Sequence, residues 1–357
     1  MKRTSHIEAI RRSLIVVTLI ALSATCYVAR DFLLPILLGF LITLTLSPIS
    51  RGLARIGVPH WVSALGLIGA TAGTIAVAIY YSSATILGWM DNSDAMRFEL
   101  QTKLSGIFQK FEQVREASQA VAEVAGSDPV KQEVVVQRPT PVGGALSVVS
   151  SIGATLAVAL VLAGFLLASG HMFYIKILQS LRTLSDKKRA LTMVHDIERR
   201  VSRYLLTIAL INAGLGICVG LALFVIGMPN AYILGAAVFL LNFLPFVGAL
   251  IGVALVGALS ILTFDSLSYA ALAPAAYLIL NALEGSFVTP ALLGQRLELN
   301  TVAVFLTVVT WGWLWGIPGA LIAVPVLIVF KVVADNIEGM KVVANFLGAG
   351  ESAPREQ

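Results

Sequence analysis

TVAVFLTVVTWGWLWGIPGALIAVPVLIVF (Thr301–Phe330) decides how this chain folds. It carries no charge, and GWLWGIPG (Gly312–Gly319) interrupts it near the middle. A second stretch of the same kind, Tyr232–Leu262, is interrupted by NFLPFVG (Asn242–Gly248). Each arm beside a break holds roughly 15 residues, a helix of about 22 Å against about 30 Å of membrane hydrocarbon. An arm that short crosses lipid poorly, so each pair of arms predicts a hairpin that enters the bilayer and turns back. Backbone freed at such a tip is tolerated only where protein or a wet cavity surrounds it. Paired broken segments in two halves of a sequence are the pattern of a transport site.

The rest of the chain fits a membrane setting. Of its 357 residues, 57% are hydrophobic and 13% charged, about half the charge of a soluble domain. The mean hydropathy is +0.87. Cys26 and Cys218 both fall in apolar runs and read as small buried hydrophobes rather than disulfide or metal ligands. The net charge of +5 does not point to nucleic acid, because the basic residues collect beside apolar segments, where they set membrane orientation. Lys2, Arg3, Arg11 and Arg12 before Ser13–Ala29 have the charge order of a signal peptide. A retained helix is expected instead, since Thr25 precedes Cys26 and another apolar run follows almost at once.

The expected membrane segments are Ser13–Ala29, Phe32–Leu46, Trp61–Trp89, Ala145–Ser169, Tyr204–Ile226, the first broken stretch, Leu267–Leu283 and the second broken stretch. Phe32–Leu46 is short and contains Pro35, so a tilted segment and a hairpin with its predecessor are both open. Arg51 and Arg55, the basic loop Gly170–Arg203, and Arg296, Lys331 and Lys341 all fall on one side, the cytoplasm, together with both termini. The two units of helix plus hairpin then have opposite topology, an inverted repeat. A faint trace lies in the letters. Asn212-Ala213 and Asn281-Ala282 each have a glycine three residues after the alanine, and GALIGV (Gly248–Val253) matches GALIAV (Gly319–Val324).

The fold expected is therefore an all-α polytopic membrane protein. It has transmembrane helices, two broken, re-entrant helical hairpins in an inverted repeat, and a small external helical domain. The units are 1–90 (scaffold helices), 91–144 (external), 145–203 (a transmembrane helix and a basic cytoplasmic helix), 204–330 (transport unit, hairpins 230–263 and 301–330) and 331–357 (tail). In the external unit, Leu100, Leu104, Ile107, Phe111, Val114 and Val121 form one helical seam. The seam packs either on its own protein or bilayer, or on another subunit. Ser127–Gly144 reads as a linker. In the basic unit, Leu191, Val194, Ile197, Val201 and Tyr204 recur at helical steps, with Asp186 as a candidate N-cap.

No catalytic constellation is present. The four histidines sit at loops or membrane edges, and no metalloprotease, P-loop or nucleophile-elbow pattern occurs. No cofactor or metal site is expected. The strongest polar candidate is Glu284, an acid set between an apolar helix and a stretch holding Thr289 and Pro290. Partial desolvation there favours the neutral carboxyl, which suits exchange of a proton for a cation or polar solute. The alternative is an interfacial glutamate that caps the next segment. Asn212, Asn242, Asn281 and Asn300 are costly to bury without partners and either line a polar path or bond neighbouring helices. The breaks are marked by Pro245, Gly248, Gly316, Pro318 and Gly319. Trp311, Trp313 and Trp315 form either an interface belt or the packing of a hairpin tip.

Four stretches, DIERRVSRYL (Asp196–Leu205), FLPFVGALIG (Phe243–Gly252), VTPALLGQRLELN (Val288–Asn300) and GIPGALIAVPV (Gly316–Val326), carry a family likeness. The chain resembles the autoinducer-2 exporter (AI-2E) family of bacterial membrane proteins, also called PerM-like permeases. The resemblance marks Pro245, Gly248, Pro290, Gly294, Gly316, Gly319 and Pro325 as its motif positions. Many members have histidine before proline where this chain has Asn300-Thr301, so a proton role for that histidine does not transfer. The resemblance implies a homo-oligomeric inner-membrane transporter, because members are linked to signalling-molecule export and to sodium or lithium/proton antiport. The expected function is export of a small polar solute, with proton coupling open. The alternatives are monovalent cation/proton antiport and, in a different class, a structural or regulatory membrane protein that moves nothing.

Overall fold

The computed structural model describes residues 13–14, 17–18, 20–105, 141–169, 184–245, 247–293 and 299–348. These residues are helical almost throughout. The one β contact among them is an isolated bridge between Leu299 and Gly348. The main helices are α1 (Arg30–Arg55), α2 (His60–Asp91), α3 (Pro141–Ser169), α4 (Leu184–Ile226), α5 (Ala231–Leu241), α6 (Val247–Thr263), α7 (Leu272–Leu283), α8 (Thr301–Asn336) and α9 (Lys341–Leu347), with single turns at Leu267–Ala270 and Thr289–Leu293. Among the described residues, five helical stretches are long and apolar enough to cross a membrane: Arg30–Arg55, His60–Asp91, Val194–Ile226, Leu267–Leu293 and Thr301–Asn336. Their outer faces are apolar too. On α4, Leu210, Ile217, Leu221 and Phe224 are exposed along one stripe. Such a face suits lipid and not water. The protein is an all-α, multi-pass membrane protein.

Two boundaries differ from expectation. A helical stretch at 20–28 meets α1 at a single-residue break, Ala29, so Arg30 and Asp31, which fall between the expected segments Ser13–Ala29 and Phe32–Leu46, open the next helix. The α1 helix then runs on to Arg55 through Pro35 and Pro48. The basic helix and Tyr204–Ile226, expected as separate units, are one helix, α4, of 43 residues. Asp186 lies inside it rather than capping it. The charges of DIERRVSRYL end the apolar run without breaking the helical period. What stops α4 is Gly227 at φ +90°, whose own N–H bonds the Phe224 carbonyl while that of Met228 bonds Leu223. This is a left-handed glycine C-cap.

Two groups of helices result. In the first, α1, α2 and α3 pack closely: a Cβ at Gly39 would lie 2.8 Å from the Ala159 carbonyl oxygen, so α1 and α3 touch backbone to backbone. In the second, α4 is the post on which both hairpins lean. The first hairpin is α5–α6, with arms of 11 and 17 residues. Its two ends, Asn230 and Thr263, line one cleft of 400 Å³ beside Trp89 and Met96. The second hairpin is α8, which breaks at Gly316 (φ +68°, ψ −147°), a conformation open to glycine alone. Its arms, 301–315 and 317–336, fold back on each other. A Cβ at Gly312 would lie 3.6 Å from the Ala320 Cβ, whereas residues eight apart in a straight helix are about 12 Å apart. The outgoing arm is about 30 Å long, so here the contacts and not the arm length establish the hairpin.

The hairpins approach α4 from opposite ends. Residues of the first (Met228, Ala231, Leu234, Val238, Val256) pack with Leu215, Val219 and Leu223 of α4. Residues of the second (Val308, Ile322, Val324, Ile328, Val332) pack with Val201 and Leu205 of α4 and with Leu41 and Leu44 of α1. At its tip, Trp311 and Trp315 stack edge to face, 4.8 Å between ring centres, and the Trp315 indole donates to the Cys26 carbonyl at 3.0 Å. Trp313 points outward and is exposed. Two of the three tryptophans therefore pack the tip.

The segment expected to be external is described to Ser105. Its Leu100 and Leu104 are half-buried, and Lys103 donates to the Ile261 and Leu262 carbonyls at 3.0 and 3.4 Å. That end of the segment is held on the C-terminus of α6, where a cation suits the helix dipole. The seam beyond it (Ile107, Phe111, Val114, Val121) lies outside the described residues.

Candidate functional site: a polar cluster at the first break

Close backbone approach builds the site. A Cβ on either Gly216 of α4 or Gly235 of α5 would lie 2.6 Å from the other's carbonyl oxygen. The two helices therefore cross with no side chain between them. Asn212, one turn before Gly216, then reaches the residue that ends α5: the Asn242 amide donates to Asn212 Oδ1 at 2.8 Å. Asn212 is 2% exposed, and its own Nδ2 has no partner.

The helix α7 brings two more buried polar atoms. Tyr277 and Asn281 are one turn apart on one face, and neither the Tyr277 hydroxyl nor Asn281 Oδ1 has a partner. The Tyr269 hydroxyl donates to the Ile226 carbonyl at 2.9 Å, which places the start of this segment at the end of α4. Counted from that contact at 1.5 Å per residue, Asn212 lies about 21 Å down α4 and Asn281 about 18 Å down α7. The two amides stand at nearly the same height. The Tyr277 ring lies against Gly252 of α6, where a Cβ would come within 2.5 Å of the hydroxyl. Thus α4, the broken α5–α6 pair and α7 converge on one level. Each unpaired buried polar group costs about 1–3 kcal/mol, and such groups are few in natural proteins. Three of the four among the described side chains, on Asn212, Tyr277 and Asn281, belong to this level. The fourth is Ser202 on α4.

Glu284 lies one turn past Asn281's level. There α7 slips into a π-helical turn, Glu284–Val288, whose wider i→i+5 spacing brings Thr289 over Glu284. The Thr289 hydroxyl donates to Glu284 Oε1, and both residues are half-buried. Pro290 follows and has no N–H, so a carbonyl one turn earlier stays without its helical donor. Single π turns recur at functional positions in helices. Among the described residues, no group of three or more His, Cys, Asp or Glu is placed to hold a metal.

The structure thus joins Asn212 with Asn242 and Glu284 with Thr289, and sets Asn281 between the two pairs along α7. It does not join Asn300 to them. Asn300 caps α8, accepting from the Val302 N–H at 2.9 Å, and its amide donates to the Phe346 carbonyl at 3.2 Å. Its work is to hold α9 against the base of the second hairpin. Pro245 and Gly248 flank the first turn, Gly316, Pro318 and Gly319 form the second, and Pro325 sits buried in the outgoing arm. Gly294 lies outside the described residues. Sequence reasoning missed Tyr277, which reads as one more core aromatic in an apolar helix. Its spacing of four from Asn281 is the signal that finds it.

The pattern shared by the AI-2E family transporters matches residues 16–339. Over 147 residues the chain is 31% identical to the "AI-2 transport protein TqsA" of Escherichia coli K12, covering 41% of this chain and 42% of that one. It is 32% identical over 162 residues to the "Putative transport protein YhhT" of the same organism, covering 45% and 46%. A Haemophilus influenzae protein named only as a transport protein of that kind is 22% identical over 336 residues, 93% of this chain and 94% of its own length. The matched part spans less than half of TqsA and of YhhT. Since the family pattern covers residues 16–339, a range that takes in α4, both hairpins and the polar level between them, this chain belongs to the AI-2E family of transporters.

Proposed function

We propose that the cluster of Asn212, Asn242, Tyr277 and Asn281 is the solute site of a secondary transporter of the bacterial inner membrane, that the solute is small and polar, as autoinducer-2 is, and that it is exported. The observation that carries this reading is the set of unpaired polar atoms of Asn212, Tyr277 and Asn281 beside the break of the first hairpin. A hydroxylated solute supplies the donors and acceptors those atoms lack. The two hairpins reach toward this level from opposite ends of α4, so tilting one against the other opens the site to alternate sides. Glu284, hydrogen-bonded to Thr289 in the π turn, is the coupling group.

The test separates binding from folding. Replacing Asn281 by leucine removes an unpaired polar atom, which is neutral or favourable for stability. The expected result is a protein at least as heat-stable as the wild type whose solute flux in proteoliposomes falls about tenfold or more, the loss of one or more hydrogen bonds to the passenger. Unchanged flux in Asn281→Leu and Asn212→Leu removes the site. Glu284→Gln tests coupling: flux down a solute gradient persists, and the response to an imposed pH gradient is lost.

One observation favours a second reading. Glu284 and Thr289 are hard oxygen donors placed together, a set that suits Na⁺ or Li⁺. Under that reading, Na⁺ or Li⁺ added to vesicles loaded with a pH-sensitive dye releases protons in the wild type and not in Glu284→Gln. A dye response to organic solute alone excludes it.

A further inference from the structure

Away from the polar cluster, a cleft of 570 Å³ opens between the end of α1 and the start of the apolar part of α4. We propose that this cleft binds the phosphate headgroup of an anionic phospholipid. Four guanidinium groups line it: Arg51 and Arg55 from α1, Arg199 and Arg203 from α4, with His195 beside them. Arg199 and Arg203 are one turn apart, so their side chains lean over the same groove. Among the described residues, no carboxylate lines the cleft. Glu198, next to Arg199 in the chain, is buried and already engaged by Arg51 and by the Ser47 hydroxyl. Among the described residues, Arg55, Arg199 and Arg203 have no ion-pair partner. Like charges gathered this closely repel, and an anion between them relieves the repulsion.

The surroundings select a lipid rather than a free ion. Arg203 is the last charged residue of α4; from Tyr204 to Ile226 there is none. The guanidinium groups therefore sit at the level where an apolar helix leaves hydrocarbon, which is the level of headgroup phosphates. The same groove continues over Leu206 and Leu210, and Leu210 is 63% exposed. An acyl chain attached to the bound phosphate has an apolar track along α4. Arginine forks match phosphate oxygens two at a time, and basic pockets between membrane helices recur as headgroup sites. The site ties α1 of the first helix group to α4, the post that carries both hairpins.

The experiment uses the purified full-length protein in nanodiscs and in detergent. Native mass spectrometry and heat stability are read against phosphatidylglycerol, phosphatidylcholine, and sodium phosphate alone. The wild type is expected to retain phosphatidylglycerol and to gain heat stability from it, while phosphatidylcholine gives neither. The triple variant Arg55→Gln/Arg199→Gln/Arg203→Gln is expected to lose affinity for phosphatidylglycerol about a hundredfold, as three basic contacts imply. The matching triple lysine variant is expected to keep most of it. Equal binding of phosphatidylcholine and phosphatidylglycerol by the wild type overturns the proposal. So does full protection by sodium phosphate alone, which assigns the cleft to a soluble phosphate ligand. The wild-type comparison needs no variant to fold.

Discussion

At the scale of single residues, the two hairpin tips depend on absent side chains. A Cβ at Gly319 would lie 2.1 Å from the Trp311 carbonyl oxygen, and one at Gly248 would lie 1.8 Å from that of Leu241. Both clashes are with backbone, so no rotamer change relieves them. Gly319→Ala and Gly248→Ala should each lower stability by about 1–3 kcal/mol, the range for overpacking. Gly69→Ala on α2, where nothing lies within 4 Å, should be neutral or slightly stabilising. Heat unfolding in detergent checks all three, and equal effects at the three positions would contradict the tight turns. The importance of these glycines was legible in the sequence, because glycine beside proline inside an apolar run has few other uses. The neighbours were not. That Asn242 meets Asn212, and that Tyr277 stands by Gly252, depends on how three helices are set against each other, and no local pattern encodes that. The π turn at Glu284 was invisible for another reason: it is a slip of the backbone ladder by one residue, with no composition of its own.

At the scale of elements, α1 and α4 are joined by a buried charge pair that sequence reading did not assemble. In the sequence, Arg51 reads as an orientation signal and Glu198 as part of a family stretch. They come together because α4 continues unbroken below its apolar part and carries Glu198 to the end of α1. The Glu198 side chain is 11% exposed and that of Arg51 35%. This asymmetry sets the sign of a prediction. Arg51→Met leaves a carboxylate in a dry site with only the Ser47 hydroxyl, whereas Glu198→Gln leaves a guanidinium that still reaches water. Arg51→Met should therefore cost more stability, about 3 kcal/mol against about 1 kcal/mol for Glu198→Gln. Unfolding midpoints of the two variants in one detergent decide it. A larger loss in Glu198→Gln would mean that the pair is not buried as described. The second hairpin makes a sharper prediction. The Gly312 and Ala320 positions face each other at a Cβ spacing of 3.6 Å, within the range for a disulfide. In a protein with Cys26 and Cys218 replaced by alanine, Gly312→Cys/Ala320→Cys should oxidise to an intramolecular disulfide, seen as blocked thiols by mass spectrometry. A straight helix through Gly316 would hold those positions about 12 Å apart, and the thiols would stay free.

At the scale of the whole molecule, the faint repeat in the letters coincides with matching places in the fold. Asn212 and Asn281 stand at nearly one height on neighbouring, oppositely directed helices. GALIGV and GALIAV each begin the second arm of a hairpin, just past its break. These coincidences support an inverted repeat in which α4 with the first hairpin and α7 with the second enter from opposite faces of the bilayer. The reading yields a labelling pattern that full crossings cannot reproduce. In the same cysteine-free background, single cysteines replace Asn230 and Thr263 at the base of the first hairpin, Asn336 at the base of the second, and Leu244 and Ile317 at the tips. A membrane-impermeant maleimide is added to inside-out and right-side-out vesicles. With Arg51, Arg199 and Lys331 on the cytoplasmic side, as the positive-charge pattern leads one to expect, Asn230→Cys and Thr263→Cys should react only from the outer face and Asn336→Cys only from the inner. Leu244→Cys should not react from the inner face, nor Ile317→Cys from the outer, unless solute gating opens a wet path to them. If the broken stretches traversed the bilayer, each tip cysteine would lie in water on the side opposite its base and react there at the rate of an exposed loop. Two arms of 11 and 17 residues, about 16 and 26 Å, leave the first hairpin too short on one side to place Leu244 in that water without pulling Asn230 into the hydrocarbon.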